Sequence, residues 1–145
     1  MAKVWKIILA AIVFMIISQV IHTIESMATM DYYKDQTYFS VWSKIMMPNE
    51  GPPPAEFYYY SLIFAFVGGL IFTGVYTVVE KGVPGNTFVK KGIYYGLLVW
   101  LLAGITGSLA MVLLINLPID LIVYWTVTSL IINLLAGVAI ARIVK

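Results

Sequence analysis

His22 is the only histidine in the chain, and it stands one helical turn ahead of Glu25 in the stretch SQVIHTIES. A histidine and a carboxylate at i, i+3 share a helix face, and that pairing allows two kinds of chemistry. They can ligate a metal, as in carboxylate-rich bundles that use two Glu-x-x-His motifs. They can also pass protons, since imidazole titrates near neutral pH and membrane-embedded ionisable groups mark pathways. One such motif is half of a bundle metal site, so no metal site is expected. Haem held by two histidines would require a second chain. The plain alternative is a helix end that reaches interfacial water and pairs with a tyrosine or tryptophan.

At 100° per residue, Ser18, Gln19, His22, Glu25 and Ser26 share an arc of about 120°. A polar arc on a membrane helix normally faces the bundle or a water-filled cavity. Glu56 and Asp120 fall near helix ends on the same side, so these seven residues form the candidate polar cavity.

The elements that position them follow from composition. The 145 residues are 61% hydrophobic and 11% charged. A soluble domain carries about 25% charged residues, so the chain lacks the charge to cover a water-facing surface. With no cysteine, disulfides, thiolate metal sites and CxxC redox chemistry are excluded. A spanning helix needs about 20 mostly apolar residues, and four runs meet that length, at about 5–24, 57–79, 93–117 and 119–141. The runs are continuous, without period-two alternation, and read as helices. MAKVWK followed by an apolar run and SMA resembles a signal peptide, but the run is long for one and reads as a span. Residues 1–145 make one integral membrane domain, an all-α antiparallel four-helix bundle.

With four spans, Lys3, Lys6, Lys81, Lys90, Lys91, Arg142 and Lys145 lie on one side, and only Lys34 and Lys44 on the other. A fifth span would break this division. The positive-inside rule then puts both termini in the cytoplasm, as in a prokaryotic cytoplasmic membrane.

The connection over 25–56 is longer than a helix turn requires. Tyr38, Phe39, Trp42, Ile45 and Met46 recur at helical spacing. They predict a short amphipathic helix at about 37–47, started by Asp35 or Thr37 and stopped by Pro48. It would lie on the outer surface or over the bundle mouth as a lid. GPPP then returns the chain stiffly, and Asn86 or Thr87 is placed to cap span three.

Small residues mark packing faces. These are Ala65, Gly69 and Thr73 in span two, and Gly92 and Gly96, then Ala103, Gly107 and Ala110, in span three. Span four contributes Ser129 and Asn133. Gly104 and Ser108 add a second small face to span three, which predicts a central position or contact with a second chain. Asn133 needs a partner within the membrane, such as Thr73, Thr106 or Ser108.

The stretches QVIHTIE, FSVWSKIM, KGIYYGLLVW and LLAGVAIARI resemble a loose group of small prokaryotic four-span membrane proteins. That resemblance covers most of the chain and implies the topology without an activity. No HExxH, GxSxG, Walker loop or basic nucleic-acid face is present. The expectation is a non-enzymatic accessory or scaffold subunit with no catalytic residues and no nucleic-acid partner. It calls for no cofactor, leaves room for a bound lipid, and has the bilayer and other membrane chains, or a second copy, as partners. The alternative is a small transporter or ligand-binding bundle whose polar cavity opens outward at the end of span one.

Overall fold

A computed structural model describes residues 4–49 and 51–145, so Lys3 and Glu50 lie outside the described residues. Four helices are long and apolar enough to cross a membrane: span one, Val4–Ala28; span two, Ala55–Val79; span three, Phe88–Leu114; span four, Ile119–Val144. The chain is an all-α integral membrane protein, with no strand among the described residues.

Local chemistry sets the ends. Spans two and four begin directly after Pro54 and Pro118, whose missing N–H would have no helical partner there anyway. Thr87 caps span three, its hydroxyl accepting from the Lys90 N–H at 3.2 Å. Span three stops at Leu114, short of the apolar run's end at 117. Ile115 is already extended (φ −125°, ψ 132°), and Leu117 precedes Pro118, which disfavours helix there. Span one runs on to Ala28 because nothing between His22 and Ala28 is a Gly or Pro.

Span one packs on spans two and four, and span four packs on span three. Close approach follows the small residues. A Cβ on Gly69 would sit 2.8 Å from the Ala11 carbonyl oxygen of span one. Gly92 and Gly96 lie directly on the span-four backbone at Val138 and Asn133, and Gly137 lies on Gly92 in return, with no room for a Cβ at any of the three. Such backbone contact is how membrane helices gain packing energy when lipid and leucine are equally apolar.

The core sits toward the end that carries Lys6, Lys81, Lys90, Lys91, Arg142 and Lys145, hereafter the basic end. Ala10, Phe72, Tyr76, Tyr95, Ala136 and Ile140 meet there. Tyr95 of span three reaches across and donates its hydroxyl to the Phe72 carbonyl of span two at 2.6 Å. Beyond this the helix register of span three widens to π geometry over Trp100–Ile105. Its remaining turns, Thr106–Leu114, bury no residue and pack mainly on span four.

Between spans one and two lie a short helix, Met30–Lys34, and a 3-10 helix, Gln36–Val41. The segment is therefore not one helix over 37–47. Asp35 does cap its start, accepting from the Thr37 N–H at 2.9 Å. The 3-10 turn ends at an extended Trp42. Thr, Tyr, Phe, Ser and Val are weak helix formers. The Ser43 hydroxyl then accepts from the Met46 N–H at 3.2 Å, a local bond that competes with helix continuation.

Candidate functional site

At the end opposite the basic one the polar arc of span one splits into separate contacts. Ser18 is buried. The Gln19 amide donates to the Ser61 hydroxyl of span two at 3.2 Å. Ser26 bonds back to the Thr23 carbonyl of its own helix. His22 is half exposed, its Nδ1 3.8 Å from Glu25 Oε2. Glu56 and Asp120 are exposed.

Glu25 is the ionisable member of this set that the fold encloses, with 7% of its side chain exposed. It projects from the last turns of span one toward the connecting segment. The Thr29 hydroxyl donates to Glu25 Oε1 at 2.8 Å and contacts the Glu25 main-chain oxygen at 2.9 Å. Thr29 is itself 1% exposed. One turn further, the Tyr33 hydroxyl accepts from the Trp125 indole N–H of span four at 3.1 Å. The Tyr33 ring lies 5.0 Å from Trp42, and Trp42 lies 6.3 Å edge-on from Trp125. Burial, and secondarily the Glu25 charge, pushes the Tyr33 phenol above its ordinary value. A phenolate there would be both desolvated and repelled.

Of the lid residues, Tyr38, Phe39, Trp42 and Met46 are half-buried and Ile45 is exposed. The Trp42 indole nitrogen is shielded from solvent and has no hydrogen-bond partner among the described residues. Asp120 joins Tyr32, Val123, Tyr124 and Val127 in a shallow cleft of about 390 Å³. The structure thus gathers Glu25 with Thr29, Tyr33, Trp42 and Trp125, and gathers Asp120 with Tyr32 and Tyr124. It does not gather the seven arc and rim residues into one cavity. Among the described residues no three His, Asp or Glu side chains approach closely enough to share a metal ion.

Sequence reasoning passed over Thr29, Tyr33 and Trp125. Thr29 and Tyr33 follow Glu25 at four-residue steps, a helical signal that was available. Trp125 had none, because its partner is 92 residues away.

A second polar group lies at the π segment. The Trp100 indole N–H donates to the Thr126 carbonyl at 2.9 Å, and the Ser108 and Thr126 hydroxyls are hydrogen-bonded to each other at 2.6 Å. Ser129 also donates to the Thr126 carbonyl, at 2.8 Å. The Asn133 amide donates to the Ser129 carbonyl of its own helix at 2.7 Å and not across to span two or three. Its packing role is carried by its backbone against Gly96. Ala103 is exposed, and a Cβ on Gly107 would meet nothing within 4 Å. Ala65 is half-buried, while Thr73 is fully buried with its hydroxyl unpartnered.

No protein-family model, curated protein or solved structure matches the chain.

Proposed function

We propose that the chain is a non-enzymatic accessory or scaffold subunit that packs against other membrane chains or a second copy of itself. The observation that carries this reading is the far half of span three. Thr106–Leu114 leans mainly on span four, Ala103 and Ala110 are exposed, and a Cβ on Gly107 would meet nothing of the chain within 4 Å. Small residues give a lipid-facing helix no advantage, whereas they let another helix approach closely. Cross-linking in native membranes, followed by native mass spectrometry of the gently extracted protein, tests this. The expected result is an assembly that is lost in Gly107→Leu with the bundle still folded. A wild-type chain that stays monomeric by both methods overturns it.

A second reading, a small transporter or ligand-binding bundle, draws support from buried Glu25 beneath the aromatic segment. It requires water or ligand to reach Glu25, so solvent exchange at that carboxylate distinguishes the two.

The orientation goes with either reading. Seven of the nine Lys and Arg residues at one end favour both chain ends in the cytoplasm. The chain lacks cysteine, so a single cysteine placed at Lys44 or Lys90 reports its side by membrane-impermeant labelling. Labelling of the Lys90 position from outside intact cells would reverse the assignment.

A further inference from the structure

At the basic end the four helices leave a cleft of about 910 Å³, within the range of about 300–1,000 Å³ typical of small-ligand sites. Its charge is one-sided. Lys6, Lys81, Lys91 and Lys145 line it against a single acid, Glu80. Among the described residues the one approach of a cation to an Asp or Glu carboxylate within 4 Å is His22–Glu25, at the opposite end. Among the described residues none of the four ammonium groups has an Asp or Glu carboxylate within 4 Å. Like charges gathered this way attract an anion strongly.

Two of them are held in place. Lys6 Nζ donates to the main-chain oxygen of Lys145, and Lys91 Nζ donates to the Glu80 carbonyl at 2.8 Å. Each ammonium carries three donors, so two per lysine remain for a ligand.

The wall between spans two and three is also built. Val83 plugs into the core. Gly85 turns the chain at φ +123°, where a Cβ would press to 2.8 Å from the Lys90 side chain. Only glycine adopts that turn readily, and it holds the loop against the start of span three.

Beside the lysines and the polar Thr77, Asn86 and Thr87, the cleft carries apolar side chains of Trp5, Val78, Phe88 and Val144. Trp5 and Val78 are 57% and 82% exposed, so this wall runs out onto the lipid-facing flank of the bundle. Anion-attracting lysines next to hydrocarbon match the chemistry of a phospholipid. A free phosphate would use only the lysines.

We propose that this cleft binds the phosphate ester of an anionic phospholipid from the adjoining leaflet, its headgroup among Lys6, Lys81, Lys91 and Lys145 and an acyl chain along Trp5 and Val78. This stands apart from the scaffold reading and does not depend on it.

The test uses the full chain, stripped of lipid in detergent and reloaded with phosphatidylglycerol or phosphatidylcholine. Native mass spectrometry counts retained lipid. Wild type should hold one phosphatidylglycerol in preference to phosphatidylcholine. Each lysine near a lipid phosphate is worth about fivefold in affinity. Lys81→Gln should therefore weaken retention about fivefold, and Lys81→Gln with Lys91→Gln roughly 25-fold. Lys81 anchors no part of the loop, so its single variant reads binding without disturbing the fold. Lys90→Gln, one residue from Lys91 but outside the cleft, and Lys34→Gln with Lys44→Gln at the other end should change nothing. Equal retention of the two lipids, or equal loss in Lys90→Gln, overturns the proposal. Inorganic phosphate that stabilises wild type against heat and is not displaced by phosphatidylglycerol would give the lysines to a soluble ligand, and overturns it too.

Discussion

Trp125 of span four donates its indole N–H to the Tyr33 hydroxyl at 3.1 Å, tying the connecting segment to a helix 92 residues later. The bond fixes where the aromatic cluster sits over Glu25. Replacing Trp125 with Phe keeps an aromatic ring and removes the donor. A neutral hydrogen bond contributes about 1 kcal/mol net. The expected result is faster amide hydrogen exchange over residues 30–42 with little change in the spans.

The Tyr33 phenol supplies a pH dependence. Its value is raised in the docked state above the ordinary 10.0. Below pH 10 the phenol is neutral whether docked or free, and docking is at full strength. As pH rises past 10 the free segment ionises first, so docking weakens until the docked phenol ionises as well. Limited proteolysis of the segment between pH 8 and 11.5 should show this loss, and Tyr33→Phe should lessen it, the remainder coming from Tyr32, whose phenol is also raised.

Thr29 is the one hydroxyl that satisfies buried Glu25. Thr29→Val keeps the shape and leaves a carboxylate oxygen without its donor, at a cost of roughly 2 kcal/mol. Denaturant titration in detergent should record that loss in wild type. In a Glu25→Leu background the same substitution should cost far less, since the orphaned group is gone.

Gly96 and Gly107 make a paired test of span three. Gly96→Ala drives a methyl into the Asn133 carbonyl, and overpacking of this kind costs roughly 1–3 kcal/mol. Gly107→Ala meets open space and should leave bundle stability unchanged or slightly improved through helix propensity. A thermal melt that falls equally for both would contradict this packing.

Thr73 runs opposite to the usual expectation for a buried polar group. Its hydroxyl is enclosed without a partner, a state that costs free energy. Thr73→Val should therefore be neutral or stabilising by up to about 1 kcal/mol. Thr126→Val, which breaks the contact with Ser108, should be destabilising.

The spans and their small-residue contacts were legible because both are written in short-range pattern. Four apolar runs set the helices, and Gly92 with Gly96 set the face that meets Gly137 and Asn133. The caps at Asp35 and Thr87 were legible for the same reason, each a local side-chain bond. The connecting segment was less so. Tyr38, Phe39, Trp42, Ile45 and Met46 keep helical spacing, yet weak helix formers and the Ser43 bond break the helix after one 3-10 turn. Nothing in WLLAGI signals the π register. It accompanies a bond from Trp100 to the distant Thr126. The polar arc is a short-range pattern of span one, but which of its members go inward depends on Thr29, Tyr33 and Trp125, which only the tertiary fold brings near.

Tyr95 is the hydroxyl link from span three to the first hairpin, at one level near the basic end. Past that level span three is tied to span four, by the Trp100–Thr126 and Ser108–Thr126 bonds and by the short turn between Leu114 and Ile119. Whatever the membrane sets against Thr106–Leu114 therefore reaches spans one and two by way of span four, which serves as the spine of the molecule.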